Sequence, residues 1–416
     1  MEKKKNKYAL QKTIMLEYNT PKKSRELLLI SSKIYKYYRI KMIDIIYKMA
    51  LLVILFQFST LLANDYTEED IQKLVNLYSK ENNDTGVLIL VHKDGVSKSY
   101  EAGYANKDTK KLIHTDDLFE IGSASKLFTA MAIFQLIESK KISLNTSLGE
   151  LYKTGKIRKL ANFKDKNYWD DVTVGMLLNH TSGFIDYLNV YHDDDKAIKI
   201  FSDKNKVYNY DTIIDLVLKF GDAKFKPGTQ FAYCNTGYVI LGNIITKVSK
   251  IPWRDYIQKN IFDKAGVKNT YFGTRLPRNL REKMPQGYNK SQPVDMPMAL
   301  ANSAGEIVST LDDLSKLIKM WKRSDFYKEK ETLTIQLSQG YNLMSPYVAN
   351  LSYGYGLMKI DNYFGHGGQT FGFQSYISIN PKTMTTYIVC VNNSQIGSVD
   401  LFMDIEGLVY KPFIKK

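Results

Sequence analysis

Ser123 and Lys126 stand three residues apart in the stretch Phe119-Glu-Ile-Gly-Ser123-Ala-Ser-Lys126-Leu-Phe-Thr-Ala130. An apolar run, Leu127 to Ile137, follows at once. On a helix, residues three apart share a face with Cβ atoms roughly 5–6 Å apart. The spacing therefore predicts that a hydroxyl and an amine meet in the first turn of one helix, the arrangement in which an amine helps a serine nucleophile shed its proton. The same turn would aim backbone N–H groups at an oxyanion formed there. The plainer reading is a capping serine beside a surface lysine. This pair is, however, the only Ser-x-x-Lys in the chain, and it opens the apolar run.

A second stretch, Pro227-Gly-Thr-Gln-Phe-Ala-Tyr233-Cys-Asn235-Thr-Gly237, places a Pro-Gly turn and a short strand ahead of a helix. A phenol that gives up its proton can act as base and later as acid to a leaving group. For that role its pKa must fall well below the ~10 of free tyrosine, a shift that a neighbouring ammonium supplies. The Asn235 amide can both donate and accept. Tyr104-Ala-Asn106 and Tyr187-Leu-Asn189 share the Tyr-x-Asn pattern, but neither precedes a helix in this way. In a third stretch, Gly365-His366-Gly-Gly368-Gln369-Thr-Phe-Gly372, glycines flank one histidine and permit close backbone approach to a ligand. A strand edge here would lend the Gln369 N–H to an oxyanion hole. His180-Thr-Ser-Gly183 reads as a helix stop with local hydrogen bonds. No Gly-x-Ser-x-Gly elbow occurs.

These residues need elements to position them. Thr67-Glu-Glu-Asp70 caps a helix to about Glu81, with Ile71, Leu74, Val75 and Tyr78 on one face. Val87–Val91 reads as a strand buried on both faces, turned by Lys93-Asp-Gly95 into a partner strand. Helices are predicted over 123–138, 172–178, 212–219, 236–250, 310–320 and 401–410. Strands are predicted over 353–360, 374–380 and 384–392. Residues 186–225 read as an insertion over a site, and 270–300 carry turn residues with little period. Strands at both ends and helices between predict an α+β fold. An antiparallel sheet flanked by helices is built from about 66–122 plus 350–412, with a mostly helical lobe inserted over about 123–349.

The chain has 416 residues, 44% hydrophobic and 24% charged, and can bury a sizeable core. Its formal charge of +15 is concentrated in a basic N-terminal extension. Residues 1–48 hold 13 Lys/Arg against 4 Asp/Glu, leaving 45 against 39 in the remainder, so no nucleic-acid partner is expected. Residues 49–63 form an uncharged apolar run behind Lys48, shorter than the ~20 residues of a membrane span. They predict export through a signal peptide, with an uncleaved membrane anchor as the alternative. Two cysteines and five scattered histidines give neither a disulfide framework nor metal-ligand spacing.

Taken together, Ser123-Ala-Ser-Lys126, Tyr233-Cys-Asn235 and His366-Gly-Gly368 resemble the three motifs of the serine hydrolase family that includes class C beta-lactamases, D-alanyl-D-alanine carboxypeptidases, D-aminopeptidases and related esterases. Leu177-Leu-Asn-His-Thr-Ser-Gly183, Gly237-Tyr-Val-Ile-Leu-Gly242 and Ser303-Ala-Gly-Glu-Ile-Val-Ser-Thr310 add to the likeness, which spans roughly residues 66–410. The resemblance implies a sheet domain and a helical domain with the site between them, and an acyl-enzyme on Ser123. Lys126 and Tyr233 would share the serine's proton, and Ser123 and Gln369 N–H groups would hold the oxyanion. Asn235, His366, Gly368 and Gln369 would contact substrate, with no metal or organic cofactor. The implied substrate is a D-amino-acid peptide, of carboxypeptidase type and drawn from cell-wall peptide, or else a beta-lactam or small ester. A weakly catalytic cell-wall-binding protein and a purely structural protein are the rival classes. His366 stands where true class C beta-lactamases carry lysine, so a fixed ammonium for a substrate carboxylate is missing at that motif. The pocket walls are expected from residues 184–225 and 320–350.

Overall fold

A computed structural model describes residues 68–188, 201, 203, 206–338, 340–343 and 350–409. The apolar run 49–63 and the basic extension before it lie outside the described residues.

The two ends of the body meet in one sheet. Helix α1 (Glu68–Glu81) leads into β1 (Val87–Lys93), which turns at Asp94-Gly95 into β2 (Val96–Ala102). Short strands β3 (Phe119–Glu120), β4 (Tyr271–Phe272) and β5 (Ile307–Ser309) form a separate three-stranded sheet in the order β3-β5-β4. The C-terminal part supplies β6 (Tyr341–Asn342), β7 (Leu351–Tyr353), β8 (Met358–Ile360), β9 (Tyr363–Gln369), β10 (Gln374–Ile379) and β11 (Thr386–Val391). The main sheet runs β6-β7-β8-β9-β10-β11-β1-β2, every pairing antiparallel. β1 and β11, nearly three hundred residues apart, are paired from Val87↔Val391 to His92↔Thr386. The expected α+β architecture, closed by strands from both ends, is present.

Every residue of β11 is buried, because both faces of the sheet are covered. Leu88, Leu90, Ile377, Ile388 and Cys390 point into the main core. On the other face Tyr376 and Tyr387 meet Phe402 of α6 (Ser398–Val409), with ring centroids 4.6 and 5.3 Å apart. Fully burying one such aliphatic side chain stabilises by about 1.5–3 kcal/mol, so the two-sided strands anchor the domain.

Helix α2 (Ser125–Glu138) begins two residues after Ser123 and is buried on nearly every side. That suits a helix packed inside the protein rather than one with an outer face. α3 (Val174–Leu178) stops as expected, with Asn179 as C-cap and His180 left-handed at φ 62°. α4 (Asn235–Ser249) packs against α2 and is closed by left-handed Lys250. α5 (Leu311–Lys322) is capped by Thr310, with Asp312 and Asp313 in its first turn and Lys319 and Lys322 in its last, matching the helix dipole at both ends. Where a short strand was expected before α4, residues 231–234 form no regular element and pair with no sheet. They are held instead by His180.

Candidate active site

A single 3-10 turn, Gly122–Ala124, places Ser123 ahead of α2. Gly122 sits at φ 51°, and a Cβ there would lie 2.8 Å from the backbone nitrogen of Gln369. Only glycine lets the serine turn approach the end of β9 so closely. A Cβ on Gly368 would lie 1.8 Å from the Ile121 carbonyl, for the same reason. The Ser375 hydroxyl donates to that Ile121 carbonyl at 2.8 Å, and Ser125 Oγ accepts from Ile307 N–H at 3.1 Å. The turn is thus fastened to both sheets.

Lys126 is completely buried. Its Nζ lies 2.7 Å from Asn235 Oδ1, 2.8 Å from the Ala304 carbonyl and 2.9 Å from Ser123 Oγ. The rings of Tyr233 and Tyr238 flank it at 4.9 and 5.3 Å. Burial drives its pKa down to about 7, against the opposing pull of Asp186. A neutral amine has two hydrogens and one lone pair. Asn235 and Ala304 can only accept here and take the two hydrogens, which leaves the lone pair facing the Ser123 hydroxyl.

Tyr233 is brought beside Ser123 but does not behave as the sequence predicted. Burial pushes its phenol well above the usual value, with the Ser123 hydroxyl a smaller opposing influence. The expected lowering by an ammonium does not prevail, because burial dominates at the phenol and also lowers the pKa of the neighbouring lysine. The Tyr233 hydroxyl is buried, close to Ser123 yet without a hydrogen bond of good geometry.

His180 sets the position of that tyrosine. Its carbonyl accepts from Ala232 N–H at 3.0 Å and its Nδ1 from Cys234 N–H at 3.0 Å. Its ring lies 4.2 Å from the Tyr233 ring, centroid to centroid. Since Nδ1 accepts, the ring is neutral with its hydrogen on Nε2, in keeping with a pKa pushed far down by burial. Asp186, absent from the sequence-based candidates, accepts from the Asn235 amide at 2.9 Å and from Leu188 N–H at 3.2 Å. A chain of contacts therefore runs Ser123–Lys126–Asn235–Asp186. The signal for Asp186 was slight: one acid in the apolar stretch Phe184-Ile-Asp-Tyr187 after Gly183.

His366 is placed near this cluster but not in the cleft wall. It is 1% exposed, its Nε2 is 2.8 Å from Tyr353 Oη, and its Nδ1 is engaged by the Gly367 carbonyl. Burial and nearby Lys126 lower its pKa to about 3. Its ring lies 6.3 Å from that of Tyr233, centroid to centroid. Gln369 does reach the cleft. Thr370 N–H donates to the Phe373 carbonyl, so by the alternation of an antiparallel ladder the Gln369 N–H is directed away from β10. That is the side on which Gly122 lies.

The cleft, about 340 Å³, is lined by Ser123, Tyr233, Asn235 and Gln369 together with Leu188, Met298 and Phe371. Its further walls come from residues 289–306 and 394–395. Leu188 belongs to the expected 184–225 wall. None of the described residues of the expected 320–350 wall lines the cleft, and residues 339 and 344–349 of it lie outside the described residues. The wall over 289–306 went unseen because it is made of short elements without periodicity. No group of described residues could hold a metal ion. Both Cys234 and Cys390 are free and buried.

A family model described as Beta-lactamase matches residues 71–402. Penicillin-binding protein 4* of Bacillus subtilis is 31% identical over 220 residues, which covers 52% of this chain and 45% of that relative. The chain thus spans less than half the length of that protein. Penicillin-binding protein 4 of Amycolatopsis lactamdurans is 24% identical over 353 residues, covering 79% of this chain and 86% of the relative. Among solved structures, D-amino acid amidase from Ochrobactrum anthropi SV3 superposes with a TM-score of 0.69 at 22% identity, over 82% of this chain and all of that one, which establishes the likeness of fold. With the match running from within α1 into the start of α6, the chain belongs to the beta-lactamase family of serine hydrolases.

Proposed function

We propose that Ser123 attacks an amide or ester carbonyl and carries the acyl group as a covalent intermediate, on substrates built around a D-amino acid. The observation that supports this most is Lys126 Nζ 2.9 Å from Ser123 Oγ, with the Asn235 side-chain oxygen and the Ala304 carbonyl placed to take two of its hydrogens. As Ser123 Oγ bonds to the carbonyl carbon, its proton passes to Lys126. Lys126 returns the proton toward the leaving group by way of the Tyr233 hydroxyl, which stays protonated and so serves as relay and acid. The N–H groups of Ser123 and Gln369 face the developing oxyanion. Water then takes the place of the leaving group, and the same residues run in reverse to release the acid.

The D-amino-acid class is drawn from the relatives: penicillin-binding proteins in sequence and a D-amino acid amidase in fold. Residues 49–63 support export to the cell envelope; among the described residues no helix is long and apolar enough to cross a membrane. Fluorophosphonate labelling tests the reading. The intact protein is expected to be labelled at Ser123 and to hydrolyse p-nitrophenyl acetate, and Ser123→Ala to do neither. Hydrolysis unchanged in Ser123→Ala would overturn it. Acylation without turnover would favour a binding protein instead.

A further inference from the structure

The 3-10 stretch Met298–Ala304 is a wall with two sides. Met298, Ala301 and Ala304, spaced by three, line the catalytic cleft. Ala299 and Asn302, also spaced by three, line a second cavity of about 450 Å³. The amide and guanidinium groups of that cavity are left with donors only. Asn302 is 5% exposed, and its Oδ1 accepts from the Ser303 N–H at 2.8 Å. Asn243 Oδ1 accepts from the Tyr152 hydroxyl at 2.6 Å, and Asn209 Oδ1 from the Thr212 N–H at 2.9 Å. Among the described residues none of the three NH2 groups meets an acceptor, a state that calls for a ligand or water in the cavity they line.

Two arginines add to these donors. Arg254 gives Nε and Nη2 to the two oxygens of Glu306 and keeps Nη1, and Arg275 gives Nη1 to Asp255 and keeps Nε and Nη2. No aspartate or glutamate is among the described residues that line the cavity. Guanidinium edges and amide NH2 groups together are what a carboxylate's oxygens accept from. The rings of Tyr208, Tyr210 and Trp253 supply flat walls beside them. Because each arginine is already paired once, the charge left over suits a single carboxylate on a flat body rather than a multiply charged phosphate.

The shared wall also carries an acceptor of Lys126. The Ala304 carbonyl lies 2.8 Å from Lys126 Nζ, and the Ser303 carbonyl accepts from the Thr129 hydroxyl at 2.7 Å. Asn302 holds this arrangement at φ 45° and ψ −145°, a backbone that costs energy in a residue with a Cβ and persists only while its neighbours enforce it. Its carbonyl accepts the N–H groups of Gly305 and Glu306. Glu306 belongs to the wall of the catalytic cleft, yet its charge is met by Arg254 from the cavity side, with the guanidinium 4.3 Å from the centre of the Trp253 ring. An anion that drew Arg254 toward itself would leave that buried carboxylate under-paired and slacken the backbone over 302–306. We propose that the cavity is a second binding site, for a small carboxylate carried on a flat ring, and that filling it slows the reaction at Ser123 through the wall the two sites share. The site itself stands apart from the hydrolase reading; its effect on rate rests on that reading.

The probe is 4-(trifluoromethyl)benzoate, followed by its fluorine NMR signal on the full chain, with the neutral 4-(trifluoromethyl)benzamide as control. The intact protein is expected to broaden the benzoate signal both before and after fluorophosphonate has blocked Ser123, and to leave that of the amide unaltered. Arg275→Ala is expected to weaken benzoate binding about 5-fold or more, with ester hydrolysis in the absence of benzoate as in the parent. Broadening that disappears once Ser123 is blocked assigns the benzoate to the catalytic cleft and overturns the site, as does equal broadening of the amide or an unchanged affinity in Arg275→Ala. The effect on rate needs no variant. Saturating benzoate is expected to lower kcat on p-nitrophenyl acetate about 5-fold or more, with KM close to its value without benzoate. A raised KM with unchanged kcat, or an unaltered rate with benzoate bound, overturns the coupling. Absence of any fluorophosphonate label at Ser123 would instead bring down the hydrolase reading, while the binding measurement on the unlabelled protein still decides the site.

Discussion

The imidazole of His180 lies against the ring of Tyr233, centroids 4.2 Å apart, and the backbone N–H groups on either side of that tyrosine both end on His180. One residue of a helix stop thereby fixes where a phenol sits beside the nucleophile. His180→Phe keeps an aromatic ring there but leaves the Cys234 N–H buried and unpaired, at a cost of about 1–3 kcal/mol. The expected result is a lower melting temperature and a kcat reduced about 10- to 100-fold with KM close to the parent's, since position rather than affinity is lost. Steady-state kinetics on a p-nitrophenyl ester check this; a raised KM with unchanged kcat would contradict it.

Only unprotonated Lys126 has a lone pair for the Ser123 proton. With its pKa lowered to about 7, kcat/KM is expected to climb as pH rises through that value and to level off above it. The Asp186 carboxylate holds the lysine's pKa up, so Asp186→Asn should move the rising limb to lower pH. Lys126→Arg should abolish the limb and cost about 10²–10⁴-fold in kcat, because a guanidinium does not release its proton. A pH–rate profile of each protein reads all three outcomes.

Tyr233→Phe removes the hydroxyl and preserves the ring. If that hydroxyl serves the leaving group, the loss depends on how much help the leaving group needs. An alkyl amide should lose about 10²–10⁴-fold in kcat. A p-nitrophenyl ester, whose leaving group departs as a stable anion, should lose far less. Equal losses on both substrates would place Tyr233 in the attack step instead.

Gly367 and Gly368 make a paired test of close approach. A Cβ at 368 would fall 1.8 Å from the Ile121 carbonyl, whereas at 367 it meets nothing nearer than 3.8 Å. Gly368→Ala should push β9 from the nucleophile turn, destabilising the fold by about 1–3 kcal/mol or more and removing most activity. Gly367→Ala should stay within about 0.5 kcal/mol of the parent. Thermal melts and ester hydrolysis on the two variants provide the comparison.

What could be read from the sequence was whatever one short stretch carries by itself. Ser123 and Lys126 needed only helical spacing, and the α2 and α4 helices and β10 and β11 strands needed only their periodicity. The pieces that escaped are contributed from afar or by backbone. The Ala304 carbonyl on Lys126 leaves no side-chain signature, and Asp186 gains its meaning only through Asn235, 49 residues on. The sign of the Tyr233 shift was missed because burial, invisible at that position in the sequence, dominates there and also lowers the pKa of the neighbouring lysine.

The pairing of β1 with β11 has a consequence for the growing chain. During synthesis the serine and lysine emerge early, and the phenol some hundred residues later. The strand edge that closes the site comes later still, and the sheet that holds that edge is complete only once β11 has reached back to β1. A ribosome-bound fragment therefore displays Ser123 and Lys126 without the strand that the proposed reaction needs, and on that proposal the capacity to take up an acyl group arrives only with the final strands.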